Sequence, residues 1–345
     1  MDRFASGVSS MGPPLRHAAR LDNQTGRRAV IARLARIPGR IMYEIDLRIQ
    51  LASMHVANTY GHCPIVSPGG PVVSLTTHGD RVRGVYLVIE SIGRGQTLPS
   101  RIILWVDDAT SFASLPLELR RLQSRGLEVK LCRNYGPHTK YYPYLESLQE
   151  IKEPLVTADD DVLYPRYWLK KLAEAFQQFP DVVNCHRAHR IVLSGGGINR
   201  YQRWQAVDST KACFCHVATG VGGVIYPVQL QREIKREAAA FVNCCPKADD
   251  IWLHVVALRA GFRVRQINKK GSRHLYIPRT QSGGLLQRNL VRGENDLQIA
   301  ATYRASDIDR LQESNSNCIC LHFDEKPIQA ELSSPIRVSN HTGRY

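Results

Sequence analysis

From Pro71 onward, short apolar runs alternate along the chain with longer segments in which apolar residues recur at helical spacing. Residues 71–77, 101–106 and 127–131 read as strands, with helices expected over 85–92 and 115–124. A helix over 140–150 then precedes a fourth strand at 155–157. Strand and helix in alternation imply parallel strands covered by helices, so the expected class is α/β. The pattern continues with a strand at 182–183, a glycine-led strand at 224–226, a helix ending at Arg259 before Gly261, and an edge strand over 262–265. Beyond Arg304 the chain reads as polar and irregular.

The N-terminus has a different character. Residues 1–26 are rich in Gly, Pro, Ser and Arg without periodicity, which predicts disorder. Residues 27–58 are expected to be helical in two pieces split at Pro38-Gly39, with Ile41, Ile45 and Ile49 in a regular repeat beside Arg40 and Arg48. Such a basic amphipathic helix suits an anionic membrane face; a lid or brace packed on the domain is the competing reading.

Candidate chemistry concentrates where the fourth strand ends. Leu155-Val156-Thr157-Ala158 runs straight into Asp159, Asp160 and Asp161, and Tyr164-Pro165 closes the stretch ahead of a helix. Open α/β sheets bind ligands at the carboxyl ends of their strands, which is where these acids fall. Adjacent carboxylates repel one another, and a divalent cation of the magnesium or manganese kind relieves that repulsion. A solvated acidic turn that caps the next helix is the alternative. A second acidic pair, Asp249-Asp250, opens the helix that begins before Ile251-Trp252.

Charge and composition narrow the partners. The 345 residues carry a formal charge of +15, which points to an anionic partner: nucleotide, nucleic acid or acidic membrane surface. Neither the arginine-dotted N-terminus nor the basic stretch 261–310, with Arg263, Arg265, Lys269, Lys270, Arg273 and Arg279, interleaves aromatics or carries a zinc-finger or RNP-like motif. Nucleic acid is therefore not expected as a partner. No stretch reaches membrane-spanning length and there is no signal-peptide core, which predicts a cytoplasmic protein with at most a peripheral contact at the inner face of the membrane. The nine cysteines, odd in number and without CxxC spacing, are expected to be reduced, buried thiols rather than disulfides or a zinc site.

Several motifs in order carry a family resemblance. Ser74-Leu75-Thr76-Thr77, Ser91-Ile92, Gln96-Thr97-Leu98-Pro99, Ile103-Leu104-Trp105, Ala158-Asp159-Asp160-Asp161-Val162-Leu163-Tyr164-Pro165 and Trp168 look like a bacterial glycosyltransferase of the GT-A fold, near family 2. The likeness continues through Gly222-Gly223-Val224-Ile225-Tyr226-Pro227, Cys245-Pro246-Lys247-Ala248-Asp249-Asp250-Ile251-Trp252 and Glu294-Asn295-Asp296. It implies a Rossmann-like nucleotide-binding sheet, mostly parallel and flanked by helices, with an N-terminal helical extension. The implied boundaries are a disordered segment 1–26, a basic helical extension 27–69, a GT-A domain 70–304 divided at 165/166 into nucleotide-sugar and acceptor halves, and an irregular tail 305–345.

What the resemblance implies for the site is specific. Asp159 and Asp161 would be the DxD pair that holds Mn2+ or Mg2+ against the diphosphate of a nucleotide sugar, with His274 as a candidate third ligand. Thr76, Thr77, Asp107 and Asp108 would line the nucleoside pocket, and Lys140, Asp160, Gly222 and Gly223 would also face the donor. The alternative readings are a turn cap for Asp108 and a plain tight turn for Gly222-Gly223. Glycosyl transfer needs a base for the acceptor hydroxyl, and Asp250, with Asp249 second, is the implied one; helix capping by Asp249 is compatible with that. Arg187, His189, Arg190, Tyr201 and Trp204 are further polar and sugar-stacking candidates, the aromatic pair having core packing as its plainer reading. The function implied is transfer of a sugar from a nucleotide donor to a saccharide or glycolipid acceptor, with inversion. A sugar-1-phosphate nucleotidyltransferase of the same fold and a basic nucleic-acid-binding protein are the competing functions.

Overall fold

The structure is a computed structural model that describes residues 37–272, 275–278 and 293–319. The chain divides into two units, Met1–Ser53 and Met54–Tyr345. Helix α1 (Ile37–Tyr60) spans that division as one continuous helix, with Pro38 and Gly39 inside its first turn. The second of the two expected pieces is this helix, with Pro38 in its first turn where proline is tolerated, and the first piece lies outside the described residues. Ile41, Ile45 and Ile49 are exposed on it, and Arg40 and Arg48 are matched by Glu44 and Asp46. The surplus arginines of the expected basic helix lie before Ile37, outside the described residues. No helix among the described residues is long and apolar enough to cross a membrane.

In the second unit the strand–helix alternation forms as expected. β1 (Val72–Thr77), α2 (Val85–Gly93), β2 (Arg101–Val106), α3 (Ala109–Ala113), α4 (Leu117–Gln123) and β3 (Leu127–Leu131) lead through α5 (Tyr142–Ser147) to β4 (Leu155–Ala158). The helix expected over 140–150 is shorter, because a 3-10 turn over Gly136–Lys140 takes its beginning. After β5 (Val162–Leu163) and α6 (Trp168–Gln178) come β6 (Val183–Cys185), β7 (Ala188–Arg190), β8 (Leu193–Ser194), β9 (Gly197–Ile198), β10 (Gln205–Ala206), β11 (His216–Ala218) and β12 (Val224–Tyr226). The remainder is α7 (Val228–Arg236), α8 (Phe241–Cys244), α9 (Asp249–Arg259), β13 (Val264–Gln266), β14 (Leu275–Tyr276), α10 (Glu294–Thr302) and α11 (Ala305–Ile319). Residues 305–319, read as irregular, are therefore helical. α11 is tied down where the Arg259 guanidinium donates to both oxygens of Asp307.

The main sheet has seven strands in the order β13-β6-β12-β4-β1-β2-β3. β1 is parallel to β2 and β4, and β12 runs antiparallel between β4 and β6, so the sheet is mostly parallel. β13 forms one edge, as its alternation predicts. The chain order reverses between β4 and β1, the switch point at whose carboxyl end open α/β sheets bind ligands. The strands beside that point are buried throughout or nearly so, which explains their near-continuous apolar runs. A second, three-stranded sheet, β10-β7-β11, is antiparallel. Cys185, Cys213, Cys215 and Cys245 are buried, whereas Cys63 is exposed and Cys132 and Cys244 are half-buried, so not every thiol is sequestered.

Two polar features of the core have measurable consequences. Glu90 on α2 is fully buried and is answered by Arg125 Nη1 at 2.5 Å and Asn58 Nδ2 at 3.1 Å. His138 and His254 share a second device: each donates through Nε2 to a carbonyl, of Cys245 and Phe214 respectively, at 2.7 Å. Each accepts at Nδ1 from a tyrosine hydroxyl, Tyr141 or Tyr303, at 2.6 Å. Burial pushes both imidazoles down to about 4 from 6.5.

Arg125→Met leaves Glu90 buried without its counter-charge and is expected to cost about 3–5 kcal/mol, read as a lower urea midpoint, while adding Glu90→Gln should recover most of it. Because the folded-state value of His254 is depressed, its contribution to stability is complete above pH 6.5 and is lost as pH falls towards 4. The stability gap between wild type and His254→Gln should therefore shrink by about 2 kcal/mol between pH 7.5 and pH 5; a gap that does not change with pH contradicts a neutral His254.

Candidate active site

The three adjacent acids have three different surroundings. In the β1–β4 register Leu75 pairs with Ala158, so β1 runs two residues further and brings Thr77 against Asp160. The Thr77 hydroxyl donates to Asp160 Oδ2 at 2.9 Å, and Arg81 Nη1 donates to Oδ1 at 2.7 Å. Asp160 is thus turned inward and held. Burial raises its carboxyl and Arg81 opposes the rise. Asp161 lies 3.5 Å from the same Arg81 nitrogen, and burial together with the charges of Asp159 and Asp160 pushes it up to about 7. Asp159 is half-buried and accepts from Lys140 Nζ at 3.0 Å, while its backbone N–H donates to the Tyr164 hydroxyl at 2.9 Å.

The second acidic pair reaches the same place from the other half of the domain. α9 is buried on almost every side, as its continuous apolar run requires, and its first turn carries Asp249 and Asp250. Ala248 is the residue that opens the helix, and no side chain caps it, so Asp249 is not the cap. Instead Asp249 Oδ2 meets Lys140 Nζ at 2.9 Å. One buried ammonium therefore bridges the two clusters. Burial works to strip its proton, but Asp159, Asp249 and Asp250 hold it well above the usual lysine range. Asp250 Oδ1 accepts the Gly220 N–H at 3.0 Å, and burial followed by the Asp249 charge raises its carboxyl far above the ordinary range.

The glycine that matters here is Gly220. A Cβ on it would stand 2.8 Å from Lys140 Nζ, 3.3 Å from Asp250 Oδ1 and 3.5 Å from Asp159 Oδ1, so any side chain would push into the junction of the acids. The glycines singled out in the sequence, Gly222 and Gly223, pack elsewhere. Gly222 lies against His186 and Arg187, and Gly223, at φ +86°, would drive a Cβ to 2.6 Å from the Trp168 ring. Trp168 Nε1 donates to Gly222 O at 2.8 Å, so this pair shapes a turn over Trp168. The signal for Gly220 was the Thr219-Gly220-Val221-Gly222-Gly223 run itself, in which spacing alone does not say which glycine approaches the acids.

The remaining candidates are distributed as follows. Thr76 donates across to Trp105 O at 3.2 Å, Asp107 accepts from Asn134, and Asp108 caps α3 through the Ser111 N–H at 2.7 Å. That bond, with the Ser111 hydroxyl, lowers the Asp108 carboxyl. The capping alternative for Asp108 is the observed one. His274 lies outside the described residues, as do Arg273 and Arg279. Arg81, which answers two of the three acids, was missed in the sequence because it sits alone in a loop well before them.

A divalent ion can be tested against these groups. Among the described residues no three His, Cys, Asp or Glu side chains are grouped to hold one by themselves. Asp159 and Asp161 nevertheless fit the magnesium or manganese pattern of one or two carboxylates completed by substrate phosphates and water. Burial first, and the charges of Asp159 and Asp160 after it, raise the Asp161 carboxyl, and a divalent ion would offset both.

No protein-family model and no curated protein matches the chain. Solved structures with a similar arrangement include GalNAc-T7 with UDP, GalNAc and Mn2+ (TM-score 0.44, 10% identity, 75% of this chain and 53% of that one). Others are S. aureus TarS 1–349 (TM-score 0.40, 12% identity, 72% of each chain) and CMP:2-keto-3-deoxy-manno-octonic acid synthetase with CTP (TM-score 0.35, 10% identity, 57% and 88%). The chain spans about half of the GalNAc-T7 structure. At such identities and scores the likeness says nothing of this chain's activity.

Proposed function

We propose that this chain is a metal-dependent glycosyltransferase that moves a sugar from a nucleotide sugar to a saccharide or glycolipid hydroxyl. The observation that carries the reading is the Lys140 bridge, 3.0 Å to Asp159 and 2.9 Å to Asp249, which joins a strand-end acid triplet to a helix-start acid pair in one buried place. A reaction that must both stabilise a departing diphosphate and deprotonate an attacking hydroxyl uses two such clusters side by side.

The geometry supports the following division of roles. Asp159 and Asp161 would hold the ion, which when bound supplies positive charge to offset the charge gathering on the leaving nucleoside diphosphate. Asp160, spent on Thr77 and Arg81, keeps the strand end in place. Asp250 takes the proton of the acceptor hydroxyl. The Gly220 N–H fixes its Oδ1, its Oδ2 has no hydrogen bond among the described residues, and its raised basicity suits work near neutral pH. A nucleotidyltransferase reading gains less from the geometry. The loop after β1 is a 3-10 turn, Gly79–Arg83, whose Arg81 is committed to Asp160 rather than a glycine-rich cradle for phosphates. Donor base, sugar and acceptor lie beyond this proposal. Contact of the N-terminal helix with an anionic membrane belongs to the same proposal and is supported by the exposed Ile41, Ile45 and Ile49.

Nucleoside diphosphates with Mn2+ should raise the apparent melting temperature, by an amount equivalent to about 2.7 kcal/mol at a hundredfold excess over Kd, and EDTA should remove the shift. Asp161→Ala is expected to fold and to lose that shift; a full shift in the variant would overturn the ion site. Asp250→Asn should keep the shift and lose about 10²–10⁴-fold in turnover with a competent donor and acceptor, so an unimpaired rate would remove Asp250 from the base role.

A further inference from the structure

Beside the acids, on the side of Asp250, stands a group of polar side chains that neither the ion nor the base requires. Arg187 precedes β7, and its carbonyl accepts the Thr219 N–H at 3.0 Å, one residue before the Gly220 N–H that binds Asp250. Its half-buried guanidinium has no carboxylate partner among the described residues, in contrast to Arg81 and Lys140, which are both committed to acids. Its side-chain hydrogen bond goes to His189 Nε2 at 3.2 Å.

That bond settles the state of the imidazole. A guanidinium only donates, so Nε2 accepts and the proton of neutral His189 sits on Nδ1. Burial, then the Arg187 charge, pushes His189 down to about 4, which keeps it neutral at physiological pH. Nδ1 is buried and has no partner among the described residues. A buried donor left unsatisfied costs about 1–3 kcal/mol, a cost that a ligand oxygen removes.

An aromatic floor completes the group. Tyr201 stands 6.0 Å from the His189 ring and 4.8 Å from the ring of Trp204, centroid to centroid. Trp204 is buried, with Nε1 donating to Asn199 O at 3.0 Å, and the Tyr201 backbone N–H is fixed by Asp296 Oδ1 at 2.8 Å. Burial, then the Asp250 charge, raises the Tyr201 hydroxyl, and Arg187 opposes the rise.

We propose that Arg187, His189 and Tyr201 form an acceptor subsite beside Asp250 that recognises a saccharide bearing an anionic group, a carboxylate or a phosphate. The proposal rests on the glycosyltransferase reading and names its acceptor class. A half-buried guanidinium with unspent N–H groups pairs best with an oxyanion, which it holds by two parallel bonds. The adjacent ring of Tyr201 offers the apolar face on which a sugar stacks, and His189 Nδ1–H a fixed donor for a ring hydroxyl. Arg187 lies against His189, the Thr219–Gly222 turn and Gly271, and Tyr201 joins it through the His189 ring, so the group stands beside Asp250 rather than at Asp159–Asp161.

The test uses the full chain saturated with a nucleoside diphosphate and Mn2+, titrated with cellobiouronic acid, glucose 6-phosphate or neutral cellobiose and followed by calorimetry or ligand-detected NMR. At least one acidic probe should bind tenfold or more tightly than cellobiose, and Arg187→Gln should abolish that preference while leaving nucleotide affinity unchanged. The probe that shows the Arg187-dependent preference identifies carboxylate or phosphate as the group read. Arg187→Lys, which keeps the charge and loses the fork, should fall between. Equal binding of acidic and neutral probes, no Arg187-dependent binding of either acidic probe, or loss of nucleotide affinity in Arg187→Gln overturns the proposal. Failure of the glycosyltransferase reading shows separately, as the absence of any Mn2+-dependent nucleoside diphosphate shift in the unaltered chain.

Discussion

One ammonium holds the candidate site together. Lys140 is buried and sits between Asp159, at the end of the central strand, and Asp249, at the start of a buried helix. Desolvating an ammonium costs several kcal/mol, as does each carboxylate, and the arrangement persists because each charge answers another. Removing Lys140 would leave acids from two halves of the domain facing one another with nothing between. The bridge therefore fixes the distance and orientation on which any division of labour between the clusters depends, and it explains why the backbone at Gly220 must come so close.

Around that joint the protein sorts like charges by environment. Three consecutive aspartates just past a strand end meet three different surroundings. Asp160 is buried and held by Thr77 and Arg81, Asp161 is buried beside the same Arg81, and Asp159 is half-buried against Lys140. On the helix, Asp249 is drawn to Lys140 while Asp250 is left with a backbone N–H and a raised carboxyl. Identical side chains thus acquire different protonation behaviour from a difference in partners. The cations repeat the logic: Arg81 and Lys140 are committed to acids, and Arg187 is held beside a neutral histidine without an acid of its own among the described residues.

The fold that delivers these groups is cohesive at its far end too. α9 carries the proposed base at its first turn and Arg259 at its last, and Arg259 is clasped by Asp307 of α11. α9 is thus anchored at both ends, at the second by a helix that forms where the chain beyond Arg304 reads as irregular. The polar sequence after Arg304 concealed this, since α11 has a weak apolar stripe and a buried aspartate that only an arginine from another helix makes tolerable.

Local pattern determined much of this protein. The continuous apolar runs of β1, β2 and β4 can only be strands buried on both faces, and their alternation with helices dictates parallel pairing and puts Asp159–Asp161 and Asp249–Asp250 at element ends. Which acid does what was decided by tertiary structure. The β1–β4 register chose Asp160 for Thr77, and Arg81 and Lys140 were drawn in across stretches of chain with no periodic signal. Gly220 rather than Gly222 or Gly223 was selected by a backbone approach that leaves no trace in spacing, and Arg187, His189 and Tyr201 met only because a small antiparallel sheet folds beside the acids. Element type follows from side-chain period along the chain, whereas the electrostatics of a site depend on which residues remote in sequence are brought within a few ångströms of it.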